Sequence, residues 1–191
     1  SNALVKPDVV TYATVIDSWA KSQLPNVGEK VEAILGIMED EGLVPNTICF
    51  NTVINAFAKG SNPVQAEATL DRMQELHKAG QNDAKPNVRS YTSAIDAWAK
   101  REQRSGPERA EALLYRMQAD HKAGNMDAKP DIFSFNTVIN AWAKGGDLSS
   151  AKRAEAILDH MQKQYEEGTT DVQPDAVSFN TVIDAYAKSQ D

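Results

Sequence analysis

The side chains able to do chemistry in this chain are few and scattered. Cys49 is the one cysteine, which excludes an internal disulfide and a cysteine-rich zinc site. The three histidines, His77, His121 and His160, stand on polar stretches, are expected to be solvated, and have no metal-ligand spacing. Asp83, Asp127 and Asp171 recur as one carboxylate per loop, unlike the dense ligand loop that calcium needs. No catalytic constellation appears, so the chain is expected to be no enzyme and to need neither cofactor nor metal. What recurs at a fixed spacing is polar and unreactive. A lysine stands at Lys21, Lys59, Lys100, Lys144 and Lys188, and eight residues before each comes a small side chain, at Ala13, Asn51, Thr92, Asn136 and Asn180. Side chains of this kind recognise by hydrogen bonding.

These residues ride on a block that occurs five times, of which Phe135-Asn136-Thr137-Val138-Ile139-Asn140-Ala141-Trp142-Ala143-Lys144 is one copy. Close copies begin at Phe50 and Phe179, looser ones at Tyr12 and Tyr91. In each, apolar residues fall at i, i+3, i+4, i+7 and i+8, as in Phe50, Val53, Ile54, Phe57 and Ala58, which predicts a helix with one buried stripe. Trp19, Trp98 and Trp142 belong to that stripe and are expected in the core. A hydroxyl residue precedes the aromatic at Thr11, Ser90, Ser134 and Ser178 and is the candidate N-cap; Cys49 replaces it once, as a weak cap. A second helix follows each block. Its starts carry Asn26, Asn62-Pro63, Ser105-Gly106-Pro107 and Asp147, and its core filler includes Met38, Met73, Met117 and Met161. Closing pairs Pro45-Asn46, Pro86-Asn87, Pro130-Asp131 and Pro174-Asp175 delimit units 9–46, 47–87, 88–131 and 132–175, with a partial unit from 176 to 191. The last three full units carry an insertion after the methionine, expected to lengthen the second helix by about one turn. A block recurring every few tens of residues marks an all-α stack of helix-turn-helix repeats, in which each unit buries its core against its neighbours.

Composition agrees with a globular chain, with 41% hydrophobic and 25% charged residues among 191. Apolar runs are only a few residues long, so no membrane span is expected. Ser1-Asn2-Ala3 reads as the cleavage scar of an expression tag, leaving 4–191 as the repeat domain. The chain starts at the end of one repeat and stops inside another. It is therefore expected to be an internal fragment, with any targeting peptide outside it.

A two-helix unit of about 35 residues, ending in Pro-Asp or Pro-Asn and carrying aromatic-Asn-Thr-Val-Ile, resembles the pentatricopeptide repeat family. The resemblance covers residues 7–191, and the Trp-x2-Leu-Gly-x2-Tyr pattern of the tetratricopeptide repeat is absent. It implies a right-handed α-solenoid that binds single-stranded RNA at one base per repeat. By resemblance the reading pairs are the residue after the aromatic and the last residue of the repeat. These are Ala13 with Asn46, Asn51 with Asn87, Thr92 with Asp131, and Asn136 with Asp175, while Asn180 begins a fifth. An ionised Asp only accepts hydrogen bonds and suits a base that offers a donor, whereas Asn also donates and suits ring-nitrogen acceptors. Family usage then gives C, G and U for the second to fourth units, a core of 5′-N-C-G-U-3′, with the Ala13 unit permissive. Val10, Ile48, Arg89, Phe133 and Val177, two residues before each aromatic, are implied to pack on base faces. The five lysines suit a phosphate-tracking row and, equally, helix C-terminal dipoles.

The formal charge of −7 argues at face value against a nucleic-acid partner, but it is unevenly placed. The five first-helix blocks hold six basic and three acidic side chains, so the negative excess lies on second helices and loops. Two functions are weighed. One is sequence-selective RNA binding in organellar RNA processing, stability or translation, in the mitochondrion or plastid by resemblance only. The other is a protein-interaction scaffold. Varied Asn, Thr and Asp at the reading places, beside an unvarying lysine row, favour the first. The apolar stripe of the last block, unpaired from Phe179, leads to an expectation of end-to-end self-association.

Overall fold

A computed structural model describes residues 6–22, 24, 26–101, 103 and 105–189. The tag scar at 1–3 and the last two residues lie outside them. Among the described residues the chain forms nine α-helices and no strand. The first helices are α1 (Val9–Lys21), α3 (Thr47–Lys59), α5 (Val88–Ala99), α7 (Ile132–Ala143) and α9 (Ala176–Lys188). The second helices are α2 (Val27–Asp40), α4 (Pro63–Lys78), α6 (Ser105–Lys122) and α8 (Leu148–Glu166). No described helix is long and apolar enough to cross a membrane.

The chain divides into two compact units between Ala94 and Ile95, inside α5. In the first, α1 pairs with α2 and α3 with α4, while α3 also packs on both α1 and α2. In the second, α7 pairs with α8, α9 packs on both α7 and α8, and α6 packs on α7. Each thus repeats one scheme, a hairpin whose two helices both receive the next first helix. The predicted stripe supplies the core: Phe50, Val53, Ile54 and Phe57 on α3, and Phe135, Val138 and Ile139 on α7, are all buried. Met38, Met73, Met117 and Met161 fill it from the second helices and are fully enclosed.

Second helices end alike. Gly42, Gly80, Gly124 and Gly168 all have positive φ, and the residue after each donates its N–H five residues back, to Met38, Leu76, Asp120 and Gln164. This closure needs a left-handed residue, which glycine supplies without a Cβ penalty. The insertion after the methionine is partly helical, as expected. α4, α6 and α8 continue five residues past Met73, Met117 and Met161, against two past Met38 in α2. In the second and third repeats the remaining residues form a 3-10 turn, at Asn82–Ala84 and Met126–Ala128, whose last alanine is buried.

Four local expectations change. The first helices start three residues earlier than a hydroxyl N-cap requires, at Val9, Thr47, Val88, Ile132 and Ala176. The observed caps are the unit-closing residues Asp8, Asn46, Asp131 and Asp175, and the hydroxyls stand at the third helical position. The carboxylate or amide oxygen reaches that third N–H from three residues back, which leaves the serine hydroxyl oxygen to accept the cap backbone N–H in return. Asn26 precedes α2 in the left-handed region without a side-chain cap bond. α6 begins at Ser105, so Pro107 is its third residue, where its missing N–H costs nothing. The histidines are only partly solvated. His160 is half-buried, 3.3 Å from Gln118 Oε1 and edge-on to Tyr115, and burial pushes its pKa down. His121 Nδ1 lies 3.3 Å from the Asn125 carbonyl, and His77 Nδ1 is enclosed.

A buried carboxylate ties repeats together in the second unit. Glu111 on α6 accepts from Trp142 Nε1 on α7 at 2.9 Å and from Arg153 Nε on α8 at 2.9 Å, while Arg153 Nη2 donates to its other oxygen. Trp142 is thereby a core residue with its one polar atom satisfied. Glu155 accepts from Tyr186 one repeat later, in a more exposed setting. Glu111→Ala should destabilise the chain by about 2 kcal/mol, because it strands an enclosed indole N–H and a guanidinium. Glu155→Ala should cost about 0.5 kcal/mol. Urea unfolding of the two variants checks the contrast.

Candidate nucleic-acid interface

One helical register places every candidate residue. Counting from the start of each first helix, the aromatic core residue is fourth. The second position lies about 200° away from it around the axis, on the opposite face. Ile48, Phe133, Val177 and Val10 stand there and are 65%, 57%, 58% and 69% exposed, large apolar side chains turned to solvent; Arg89 is likewise exposed. Steps of three, four and four residues along that same face reach the fifth position, the ninth and the terminal lysine. Each first helix thus presents one stripe, as in Phe133, Asn136, Asn140 and Lys144 on α7. A shallow groove lined by Val9, Asn46, Thr47 and Ile48 runs beside it in the first unit.

The cap and the fifth position of the preceding first helix meet twice. In the first unit Asn51 Nδ2 donates to Asn87 Oδ1 at 3.2 Å, and in the second Asn136 Nδ2 donates to Asp175 Oδ1 at 3.3 Å. The third-position serine completes a ring. Asn87 N–H donates to Ser90 Oγ at 3.1 Å, Ser90 Oγ–H donates to Asn51 Oδ1 at 2.6 Å, and Ser90 N–H donates to Asn87 Oδ1 at 3.1 Å. The second unit repeats each bond: Asp175 N–H to Ser178 Oγ at 3.2 Å, Ser178 Oγ–H to Asn136 Oδ1 at 2.7 Å, and Ser178 N–H to Asp175 Oδ1 at 2.9 Å. Ser90 and Ser178 are fully buried beneath these rings.

The two rings offer different hydrogen-bonding faces. Asp175 spends Oδ1 on its cap and keeps a second carboxylate oxygen, a pure acceptor, beside the remaining N–H of Asn136. Asn87 spends its one amide oxygen, so what remains is the Asn87 Nδ2, a donor beside the donor of Asn51. The Ser178 N–H foremost, then the Ser178 hydroxyl and the Asn136 amide, holds the Asp175 carboxyl below its ordinary pKa. Asp175 is therefore an anion at neutral pH.

The other candidates sit as follows. Asn46 caps α3 through the Cys49 N–H at 3.0 Å, and Ala13 is half-buried with no polar group to offer. Thr92 Oγ1 donates to its own helix at Val88 O, 2.9 Å away. Asp131 accepts from the Ser134 N–H at 2.8 Å. Thr92 lies in the first unit and Asp131 in the second. Asn180 is exposed on α9, as are Phe179 and Ile183 of its stripe.

All five lysines are exposed, but they are not equivalent. Lys21 is held by Asp17 at 2.5 Å and Lys100 by Asp96 at 2.6 Å, each four residues back. Lys59 and Lys144 have Asn55 and Asn140 at that place. This ninth-position row, Asp17, Asn55, Asp96, Asn140 and Asp184, is absent from the expected site although its spacing was legible. Burial pushes the Cys49 thiol up in pKa, so it is an inert core residue at the third position. Among the described residues no group of three or more His, Cys, Asp or Glu side chains is arranged to hold a metal.

Comparison with known proteins follows from this geometry. The family described as pentatricopeptide repeat domain matches residues 2–60 and 120–189, and the single PPR repeat matches 48–77. Over 98 residues the chain is 34% identical to a chloroplastic pentatricopeptide repeat-containing protein of Arabidopsis thaliana and 31% identical to a second one from that plant. Those matches cover 51% of this chain but only 18% and 16% of the relatives. Maize PPR10 superposes with a TM-score of 0.74 at 22% identity, over 97% of this chain and 23% of that one. The same protein in complex with an 18-nt psaJ RNA element gives 0.62 at 20% identity, with the same coverage. The shared fold is the helical-repeat solenoid.

The caps bear on stability whatever they bind. Asp175→Ala should lower stability measurably, and Asp175→Asn by much less, because an amide oxygen also caps. The folded-state pKa of Asp175 is depressed, so its contribution is present above the ordinary carboxylate range and is lost as pH falls through the folded value. Denaturant midpoints of Asp175→Ala and the parent, measured from pH 7 downward, should therefore converge in acid.

Proposed function

The chain belongs to the pentatricopeptide repeat family, and we propose that it binds single-stranded RNA sequence-selectively, one base per repeat, by contact and not by catalysis. The observation that carries this reading is the pair of hydrogen-bonded rings. Each leaves two polar groups, Asn51 nearly enclosed and Asn87 and Asn136 half-buried, beside an exposed apolar side chain one turn away, which together suit the edge and the face of a base. The donor and acceptor left by Asn136 and Asp175 complement a carbonyl and the N3–H of uracil. The two donors left by Asn51 and Asn87 complement the N3 and O2 acceptors of cytosine. Thr92 with Asp131 is assigned to G and the Ala13 unit to any base, giving 5′-N-C-G-U-3′. The apolar row packs on base faces, with Phe133 and Arg89 as its strongest stacking members. PPR10 bound to an RNA element shows that this fold accommodates such a ligand, and the chloroplastic relative supports an organellar role in RNA processing, stability or translation.

The lysine row supplies the phosphate contacts. Lys59 and Lys144 carry most of it, because Lys21 and Lys100 are each engaged by an aspartate. The acidic remainder of the chain repels RNA at long range, so affinity is modest and salt-sensitive. Exposure of Phe179 and Ile183 on α9 supports end-to-end self-association, since the matching Phe50, Ile54, Phe135 and Ile139 are buried by neighbouring helices.

The test is a titration with short RNAs containing CGU and with scrambled controls, at two salt concentrations. CGU should bind several-fold tighter, with affinity falling steeply as salt rises. Lys59→Ala and Lys144→Ala should each reduce the salt slope by about one, and more than Lys21→Ala or Lys100→Ala. Thr92→Asn should move the third base from G toward U. Equal affinity for all RNAs, or none, would favour a protein-binding scaffold instead.

A further inference from the structure

We infer that the buried third-position serines, Ser178 and Ser90, are specificity-positioning residues: each fixes which way the base-reading amide of the preceding repeat points. The inference rests on the base-reading function proposed above and extends it to a residue beneath the surface. Asn136 has two chemically opposite ends. Unless one end is tied, the amide can present either its oxygen or its nitrogen to a ligand, and an Asn that flips reads nothing. Asp175 alone constrains it weakly, through one bond of 3.3 Å. Ser178 supplies the second constraint. Its hydroxyl accepts the Asp175 N–H, and its single proton has two acceptors, Asn136 Oδ1 at 2.7 Å and Asp175 Oδ1 at 3.0 Å, of which the amide oxygen is the nearer. The amide oxygen is then spent below the surface, and the nitrogen faces out.

Two features show that this is a repeated device and not an incidental contact. The same ring stands in the other unit with the same donors and acceptors, where Ser90 reaches Asn51 at 2.6 Å, its shortest bond. At one junction whose reading residue lacks an amide, the third position also lacks the hydroxyl. There the reading residue is Ala13 and the third position is Cys49, a buried thiol whose own N–H still receives the cap. Capping therefore needs only the backbone of the third residue; Ser134 keeps its hydroxyl at the junction of Thr92, where it bonds the capping Asp131 itself at 2.5 Å.

The experiment uses the whole chain in four forms: parent, Ser178→Ala, Ser178→Thr and Ser90→Ala. RNA titrations compare CGU with CGC, which probes the fourth base, and with UGU, which probes the second. Ser178→Ala keeps the cap bond and should remove most of the discrimination at the fourth base, with the second base unaffected. Ser90→Ala should do the reverse. Ser178→Thr should restore discrimination, because Thr11 already serves at this position with its hydroxyl 2.7 Å from Asp8. Side-chain amide NMR signals of the RNA-free protein give a second readout. Those of Asn136 should lose their exchange protection in Ser178→Ala while those of Asn51 stay put. Unchanged Asn136 signals would overturn the positioning role whatever RNA does. Altered signals with intact discrimination, or an equal loss at both bases, would overturn its link to specificity. A parent chain that does not discriminate at all would instead refute base reading itself, and the serine's role in specificity with it.

Discussion

Everything at this surface depends on one hydrogen bond, from the backbone N–H of the third residue of a first helix to the side chain that closes the previous repeat. That bond satisfies a donor which the start of a helix otherwise leaves orphaned. Only a short side chain with an oxygen acceptor can make it, and Asp8, Asn46, Asn87, Asp131 and Asp175 all qualify. Because the cap fixes where the helix begins, it also fixes the angular position of every later residue. The aromatic then faces the core of the repeat, the second position faces water, and at two junctions the fifth stands beside the next cap. On the proposed reading, a structural necessity at each junction is also the polar half of the RNA-binding surface.

The choice between Asp and Asn is nearly silent for folding and decisive for chemistry. Both cap, but the carboxylate keeps a second acceptor where the amide keeps a donor. Selection of a ligand can therefore change from repeat to repeat without disturbing the stack. The core and the tie through Glu111, Trp142 and Arg153 are built from other faces of the same helices. Separation of duties by helix face would let so short a unit serve both packing and the proposed recognition.

Much of this was legible in the sequence because the repeats are copies. Five superimposed stripes fixed the first-helix cores, and four proline-led closures marked the junctions. Individual caps were less legible. Serine and asparagine are both good N-caps, and a linear reading of Ser178 or Ser134 cannot tell a cap from the third member of a capping box. The rings were hidden for a different reason, since Ser178 and Asn136 are separated by 42 residues and meet only once the hairpins stack. The histidines were misjudged because second helices expose one face and bury another, so that His160 lies against Gln118 from a neighbouring repeat. By contrast, the aspartates that hold Lys21 and Lys100 are four residues away on the same helix and stood in plain view.

The central claim is that the capping side chain also reads the base, and Asp175→Asn tests it most directly. That substitution leaves a competent cap and turns the ring of Asn136, Asp175 and Ser178 into a copy of the ring of Asn51, Asn87 and Ser90. Binding of the variant to CGU and to CGC should be measured beside the parent chain, with thermal unfolding as a control. The account predicts a preference that moves from U to C at the fourth base while stability barely changes. An unchanged preference for U, in a variant that folds as well as the parent, would contradict it.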